Sequence, residues 1–306
     1  MKKKSIVAAI SALSLIVSMN IGIGSVFAGE QNTVPGTAEQ PFVVTDGLFD
    51  QTKTESDLGL SKIEGAETVT VFTATDDTDH YCNGVVMTEF KGKLYTQWQS
   101  SAKDEDAEDT WVAYSVSDDN GATWSEPKVL VPTIDNGYCS SGGWFVSGDT
   151  LVSYINVWYS DTTPRGGFAY YVESTDGEHW SEMKPVLMKD GTPMEGIIEQ
   201  DPHVLASGRI VNAAHFQPGL FAYPIYTDDP SGTKGWVKAQ YNCMEQGEGA
   251  TTSREMEPSL FVNEDGTIVM TSETRKALCK TAAISTDQGE TWSETVSTNM
   301  PDCQSK

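Results

Sequence analysis

The sequence predicts an all-β fold, a β-propeller built from four-stranded blades. Three observations support this prediction: a Ser-x-Asp-x-Gly-x-x-Trp motif recurs along the chain, short strands and turns fill the intervals, and no segment shows a convincing helical period. The motif aspartates are residues 119, 176, 229 and 287, so the intervals are 57, 53 and 58 residues. A nearly constant repeat of this length is typical of architectures in which each unit is one small sheet.

The motif itself predicts a tight turn. The Asp side chain accepts hydrogen bonds from backbone amides two residues on, Gly adopts the positive φ that the turn needs, and Trp fills the gap between neighbouring units. We therefore interpret these residues as structural. Two copies are complete, one is a residue shorter and one is looser: Ser117, Asp119, Gly121 and Trp124; Ser285, Asp287, Gly289 and Trp292; Ser174, Asp176, Gly177 and Trp180; Thr227, Asp229, Gly232 and Trp236.

Each unit contains three strands before its motif and one after it, which is the composition of a propeller blade. The predicted strands before the motif are 84–90, 94–98 and 111–116 in the first unit; 143–146, 151–158 and 168–172 in the second; 203–205, 209–215 and 220–226 in the third; and 258–262, 267–271 and 280–284 in the fourth.

The repeated motif resembles the Asp-box, or BNR repeat, of the sialidase (neuraminidase) superfamily of β-propellers. This resemblance implies a six-bladed ring. About 55 residues per blade from residue 57 onward give only four to five blades. We interpret the propeller as incomplete at its C-terminal end; the alternative is a smaller ring that closes in another way.

The N-terminal region has the pattern of a secretory signal peptide. Lys2, Lys3 and Lys4 precede an apolar run over 6–17, and a cleavage site is expected after Ala28. A membrane anchor is the alternative, but the run is short and no second apolar span follows. The sequence thus predicts a signal peptide (1–28), a leader or linker (29–56) and a propeller domain (57–306). We expect a secreted protein with no membrane span in its mature form.

Charge and cysteine content narrow the function classes. Removal of the three N-terminal lysines leaves 17 basic against 44 acidic residues, a net charge of −27. Such a surface repels phosphate backbones and argues against a nucleic-acid partner. The five cysteines show no CxxC spacing, so no zinc site is expected, nor any other metal or cofactor. We expect Cys82, Cys139 and Cys303 to line the channel as small apolar residues rather than form disulfides.

Blade topology predicts where a binding site lies. The boxes lie at one face of the disc, whereas the starts of the innermost strands and the loops joining second to third strands meet at the other face, near the axis. The candidate substrate-binding residues there are Asn83, Gln99, Tyr138, Trp158, Asp201, His215 and Arg275. Amides, carboxylates and aromatic rings in this combination are typical of a site for a glycan or oligosaccharide.

The resemblance also implies catalytic residues. Sialidases bind the substrate carboxylate with three arginines and use a Tyr nucleophile backed by a Glu, together with an Asp acid/base. Glu257 resembles that Glu and Arg275 the second arginine, whereas the sequence has no Arg before Arg165 to serve as the first. The predicted catalytic residues are therefore Glu257, Asp79 and His80.

The most favoured function is a secreted glycoside hydrolase of the sialidase superfamily. Two alternatives stay open. One is another carbohydrate enzyme of this fold, either a rhamnosidase-like hydrolase or a uronate lyase in which His80 abstracts a proton. The other is a non-catalytic carbohydrate-binding propeller, which the missing first arginine favours.

Overall fold

Four antiparallel sheets follow one another along the chain in the computed structural model. The structure describes residues 36–45, 47–48, 53, 63–75, 78–218, 220–242, 256–273 and 279–302. Within these residues every regular element is a β-strand, and the predicted signal peptide lies outside them. No helix in the described part is long and apolar enough to cross a membrane.

Neighbouring strands of each sheet are hydrogen-bonded in chain order, as expected for propeller blades, except that the innermost strand of blade 3 consists of two short segments, which both pair with the strand that follows them. Blade 1 contains β1 (Tyr81–Phe90), β2 (Lys93–Ser101), β3 (Trp111–Ser117) and β4 (Lys128–Val131); blade 2 contains β5 (Gly137–Ser147), β6 (Thr150–Tyr159), β7 (Phe168–Ser174) and β8 (Lys184–Pro185); blade 3 contains β9 (Gly196–Ile197), β10 (His203–Val204), β11 (Ile210–Phe216), β12 (Phe221–Thr227) and β13 (Val237–Lys238); blade 4 contains β14 (Met256–Val262), β15 (Ile268–Glu273), β16 (Cys279–Ser285) and β17 (Val296–Pro301). The prediction of an all-β propeller with four-stranded blades is confirmed; a total of six blades stays a prediction.

The box motif forms the expected turn after the third strand of each blade. In blade 1, Ser117 Oγ donates to Asp119 Oδ1 at 2.8 Å and accepts from the Gly121 amide at 2.8 Å. The Thr123 amide donates to Asp119 Oδ1 at 2.8 Å. These hydrogen bonds to the carboxylate, the Thr123 backbone amide first, lower the pKa of Asp119 to about 2. We call these four motifs the box turns.

The box turns also join neighbouring blades. Trp180 of blade 2 packs edge-on against Tyr114 of blade 1, with ring centroids 5.6 Å apart. Trp236 of blade 3 is fully buried among blade 2 and blade 3 side chains, including Tyr154. Trp180 and Trp236 thus fill the interfaces with their preceding blades, which is the packing role expected from the sequence.

The glycine of the second box turn should be sensitive to any added side chain. Gly177 has a φ of 74°, and a Cβ there would lie 2.1 Å from the Tyr95 hydroxyl oxygen of blade 1. Gly191 has a φ of 85° but open space around it. We expect Gly191→Ala to lower the free energy of unfolding by about 1–2 kcal/mol through backbone strain alone, and Gly177→Ala by about 1–3 kcal/mol more. Urea unfolding of both variants measures the difference; equal losses would contradict the inter-blade contact.

Amide side chains of each of the first three blades bind the backbone near the axis of the next blade. A β-bulge interrupts β1, β5 and β14, and β9 is separate from β10, so backbone groups near the axis lack ladder partners. Gln97 donates to the Gly143 carbonyl of the next blade at 3.2 Å, and Asn156 donates to the Ile198 carbonyl at 2.8 Å. Gln200 donates to the Pro258 carbonyl at 2.5 Å and accepts from the Leu260 amide at 3.2 Å. A hydrogen bond from a side-chain amide to the backbone of the next blade therefore recurs at all three interfaces between the described blades.

The segment before blade 1 contacts both ends of the row of blades. Phe72 stacks on Trp98 of blade 1, with centroids 6.1 Å apart, and Phe42 packs edge-on against Phe261 of blade 4 at 5.8 Å. The Asn299 side chain in β17 accepts from the Val44 amide at 2.7 Å and donates to the Val44 carbonyl at 2.6 Å. We call residues 42–44 the clasp. Part of the predicted leader thus packs on the propeller.

The Asn299 contact should control the local stability of the clasp. Asn299→Ala removes both hydrogen-bond partners of the buried Val44 backbone, so the Val44 amide should exchange with solvent about tenfold faster or more. Hydrogen exchange measured by NMR tests this. Asn242→Ala, which removes an exposed bond to Glu294, is the control and should leave Val44 exchange unchanged. Equal exchange in both variants would show that Phe42 packing alone holds the segment.

The described cysteines Cys82, Cys139 and Cys279 are free thiols, whereas Cys243 and Cys303 lie outside the described residues. Cys139 does not line the channel as expected. It is fully buried in the hydrophobic core between blades 1 and 2, and this burial raises its pKa to about 12. Its position follows from the pleat, because Cys139 lies on the face of β5 that packs against blade 1.

Candidate functional site

The innermost strands all begin at the same end of the blades, which we call the upper face. In β1, Tyr81 lies opposite Ser101, where β2 ends, and in β5, Gly137 lies opposite Tyr159, where β6 ends. The loops that follow Ser101 and Tyr159 are therefore at the upper face too. The box turns lie at the opposite, lower face. This arrangement is the one predicted from blade topology.

Asn83 and Gln99 converge on one acidic residue of the blade 1 loop. Asn83 Nδ2 donates to Glu105 Oε2 at 3.2 Å, and the Tyr81 hydroxyl donates to the same oxygen at 3.2 Å. Gln99, which is buried, donates to the Glu105 backbone carbonyl at 2.9 Å. Glu105 is thus held at the upper face by three polar side chains, and two of these were predicted as binding residues.

Tyr138 and Trp158 of blade 2 form a paired aromatic surface. They are register partners on β5 and β6, and their rings are 6.1 Å apart with an interplanar angle of 11°. Trp158 Nε1 donates to Ser140 Oγ at 3.0 Å, which fixes the indole. Both residues are half-buried, so part of the rings is open to solvent.

A salt bridge between loops of blades 1 and 2 lies over this aromatic pair. Arg165 Nη1 donates to Asp106 Oδ2 at 3.0 Å, and Arg165 Nη2 contacts both Asp106 Oδ1 and the Tyr138 hydroxyl. The guanidinium carbon is 5.2 Å from the Trp158 ring centroid and 6.0 Å from that of Tyr138. Burial and the hydrogen bond to Asp106 raise the pKa of Tyr138, so its hydroxyl stays protonated.

The third part of the site lies between blades 3 and 4. Nε2 of His215, which is 2% exposed, accepts a hydrogen bond from the Glu257 backbone amide at 3.0 Å. Glu199 Oε2 lies 3.4 Å from the same nitrogen. Glu257 is itself buried and has a φ of 44°, in the left-handed region that a residue with a side chain rarely adopts. Backbone strain of this kind persists where the surrounding structure holds it, and it is concentrated at functional sites.

The aromatic pair and the His215 cluster are contiguous. A Cβ on Gly167, in the loop of blade 2, would lie 2.3 Å from Ile197 and 3.3 Å from the Trp158 ring. Ile197 in β9 is in turn the register partner of His215 in β11. Contacts between neighbouring residues therefore link the Glu105 loop to Glu257 across the upper face, through the buried Ile197 and His215.

Three predicted site residues lie elsewhere, and a fourth is outside the described residues. Asp79 is on the face of blade 1 away from blade 2, where its Oδ2 accepts from Trp111 Nε1 at 2.6 Å and from Ser100 Oγ at 2.8 Å, and the adjacent His80 is exposed. Asp201 accepts from the Trp144 amide at 2.5 Å, between blades 2 and 3. Arg275 lies outside the described residues. The structure thus does not bring Asp79 to Glu257.

Sequence reasoning placed Glu199, Asp106 and Arg165 in the strand entries and loops of this face but did not select them as site residues. Within Glu199-Gln200-Asp201 it chose Asp201, but Glu199 contacts His215 and Gln200 contacts blade 4. Strand alternation was no guide here, because β9 and β10 are separated by five irregular residues. The pairing of Asp106 with Arg165 joins two loops 59 residues apart in the chain, a contact that one sequence does not reveal.

Two further observations concern metal binding and cavities. Among the described residues, no group of three or more His, Cys, Asp or Glu side chains is placed to hold a metal ion. A cavity of about 310 Å³ lies at the lower face, where Tyr95, Trp124, Lys128 and Glu178 are among its lining residues. It is distant from the upper-face surface, and we assign the candidate site to the upper face because the strained Glu257 and the aromatic pair lie there.

The sequence comparison identifies the family. The model of the BNR repeat-like domain matches residues 92–306, which is more than two thirds of the chain. The chain belongs to the BNR repeat-like domain family. No curated protein matches this BNR repeat-like chain.

Solved structures similar to this BNR repeat-like chain include sialidases and trans-sialidases. A protein of unknown function from Dyadobacter fermentans is 15% identical with a TM-score of 0.60, covering 74% of this chain and 71% of that one. The intramolecular trans-sialidase from Ruminococcus gnavus is 15% identical with a TM-score of 0.56, covering 74% and 73%. The NanB sialidase from Streptococcus pneumoniae is 15% identical with a TM-score of 0.54, covering 76% and 54%. The predicted resemblance to the sialidase superfamily is therefore confirmed for the fold.

Proposed function

We propose that this BNR repeat-like protein is a secreted glycoside hydrolase that cleaves glycans at its upper face. The observation that carries the proposal is the cluster of Glu199, His215 and Glu257, in which the Glu199 carboxyl and the Glu257 backbone amide contact a buried imidazole and Glu257 itself is buried with a strained backbone. Glycosidases act with a pair of carboxyl groups, one that donates a proton and one that supports the attack on the sugar.

The geometry around His215 supports proton transfer at this cluster. Nε2 accepts from the Glu257 amide, so this nitrogen is unprotonated in the arrangement observed. Glu199 Oε2 is buried, forms no hydrogen bond in the described structure, and lies 3.4 Å from the same nitrogen. In this proposal the Glu199 carboxyl, whose Oε2 has no hydrogen-bond donor in the described structure, gives a proton to the leaving-group oxygen as the general acid.

The neighbouring residues are suited to a sugar ligand. The Tyr138 and Trp158 rings offer an apolar surface on which a sugar ring stacks, and Asn83, Gln99 and Glu105 offer hydrogen-bonding groups beside it. Because this surface is contiguous with His215, a glycan stacked on Trp158 extends toward the carboxyl pair. In this proposal Asp201 supports the blade interface, and Arg275 retains its predicted contact with an anionic group.

The second candidate is a non-catalytic carbohydrate-binding propeller. It is favoured by the hydrogen bonds that Asp79, the predicted acid/base, accepts from Trp111 and Ser100. A uronate lyase is the third candidate, because exposed His80 is accessible to a polymer.

Incubation of the full-length exported protein with sialylated, rhamnose-containing and uronate-containing glycans separates these functions. Free sugar with the mass of one added water supports the hydrolase and identifies the sugar that is released. An unsaturated, ultraviolet-absorbing product replaces it with the lyase. Binding of a glycan without any product overturns the enzyme proposal in favour of the binding protein.

A further inference from the structure

Arg165 holds a carboxylate in the arrangement that guanidinium groups use for carboxylated ligands. Its two terminal nitrogens contact the two oxygens of Asp106, one of them at 3.0 Å. Two parallel contacts of this kind form a bidentate pair, which is more directional than a contact with Lys. The Tyr138 hydroxyl contacts the same guanidinium and fixes its orientation.

This salt bridge is exposed and easily exchanged. The side chains of Arg165 and Asp106 are 58% and 49% exposed. An ion pair in such a position contributes little net stability, since water and salt screen it. Both residues belong to irregular loops, at 102–110 and 160–167, so replacing Asp106 as the partner of Arg165 breaks no strand pairing.

The position of Arg165 relates the pair to ligand binding. Its guanidinium lies over the Trp158 and Tyr138 rings, beside the surface proposed for stacking of a sugar. The other described arginine, Arg209, is at the lower face and is bonded to Asp228 and Glu290. Among the described arginines, Arg165 alone therefore offers a guanidinium to a ligand at the upper face.

We propose that Arg165 is the group that selects carboxylated sugars and that Asp106 is a built-in competitor, which a ligand carboxylate displaces from the guanidinium. This inference rests on the proposed binding of glycans at the upper face. It adds the chemical class of the ligand and an internal contact that weakens its binding. No covalent bond changes; one carboxylate replaces another on Arg165.

The decisive variant is Asp106→Asn. An Asp106 that competes with the ligand and an Asp106 that supports Arg165 predict opposite changes in the affinity for a carboxylated sugar. If Asp106 competes, its replacement with a neutral amide tightens the binding of a carboxylated sugar, by about two- to fivefold for an exposed ion pair. If Asp106 instead positions Arg165, the same change weakens binding. Glu108→Gln is the matched control, because it removes one exposed negative charge from the same loop without a contact to Arg165.

The experiment is a calorimetric titration of the full chain with glucuronic acid and with N-acetylneuraminic acid, each beside its methyl ester. We expect Asp106→Asn to bind both acids more tightly than Glu108→Gln does and to leave ester binding unchanged. Arg165→Ala should weaken binding of the acids about tenfold or more and leave the esters unaffected. Unfolding midpoints equal to that of the wild type confirm intact folds.

If Asp106→Asn binds the acids more weakly or equally well, Asp106 is not a competitor. If Arg165→Ala binds the acids as the wild type does, Arg165 does not select carboxylated sugars. These outcomes are separate from failure of the hydrolase proposal. Binding of acids that responds to Arg165 without release of sugar overturns the enzyme alone. Release of sugar from carboxylated glycans by Arg165→Ala at the wild-type rate overturns this inference alone.

Discussion

Glu257→Gln should reduce the turnover of the hydrolysed glycan by about 100-fold or more while binding is retained. Gln has nearly the same shape as Glu, so the left-handed backbone and the hydrogen bond from its amide to His215 are preserved. What is lost is a carboxyl group able to carry a proton or a negative charge, and general acid–base groups contribute about 10²–10⁴-fold to rates. The measurement is kcat, with the binding constant obtained separately by titration.

Glu264→Gln is the control for this change. Glu264 is an exposed residue in the turn between β14 and β15, at the lower end of the same blade, so its replacement should leave kcat unchanged. A Glu257→Gln variant that retains wild-type turnover would exclude this carboxyl from the chemistry. A variant that loses both binding and thermal stability would show instead that Glu257 holds blades 3 and 4 together.

Asp201→Asn should stabilise the protein at pH 8 and abolish much of the dependence of its stability on pH. Burial of the carboxyl raises the pKa of Asp201 to about 7, against an opposing hydrogen bond from the Trp144 amide. Between about pH 4 and pH 7 the folded protein therefore binds more protons than the unfolded chain, and the free energy of unfolding falls as the pH rises. A shift of this size corresponds to a loss on the order of 4 kcal/mol above pH 7.

Asparagine keeps the oxygen that accepts from Trp144 and carries no charge, so this loss should disappear. Urea unfolding of wild type and variant at pH 5, 6.5 and 8 tests the prediction. Asp265→Asn is a control of opposite sign, because the Thr267 amide lowers the pKa of that exposed carboxyl and stabilises its charged form. A lower free energy of unfolding for Asp201→Asn at pH 8 would contradict the buried-carboxyl account.

The repeat could be predicted from the sequence because its determinants are local. The hydrogen bonds of Ser117, Asp119, Gly121 and Thr123 all lie within seven residues, so composition and order specify the turn. Strand ends near the axis were less predictable. The first strand of blade 2 was predicted over 143–146 but begins at Gly137, because its bulge at 141–144 reverses the alternation of inward and outward residues.

The candidate site was predictable only in its location. Topology assigned Asn83, Gln99, Tyr138, Trp158, His215 and Glu257 to the upper face, and their strand positions lie there, whereas their roles in binding and catalysis stay predictions. The partners of these residues depend on how neighbouring blades are rotated and on loop conformation. The sequence around Asp106 is typical of an acidic, solvated loop, and only the structure shows its ion pair with Arg165. The difference is physical, since non-local contacts between loops leave no periodic signal in the chain.

The clasp has a consequence for the order in which the chain matures. Val44 and Asn299 are separated by 255 positions, so Val44 is synthesised long before its partner. Phe261 in β14 becomes available to Phe42 earlier, but the Val44 backbone lacks both of its Asn299 hydrogen bonds until β17 is in place. Resistance of residues 42–44 to a protease therefore reports that a molecule has folded through blade 4.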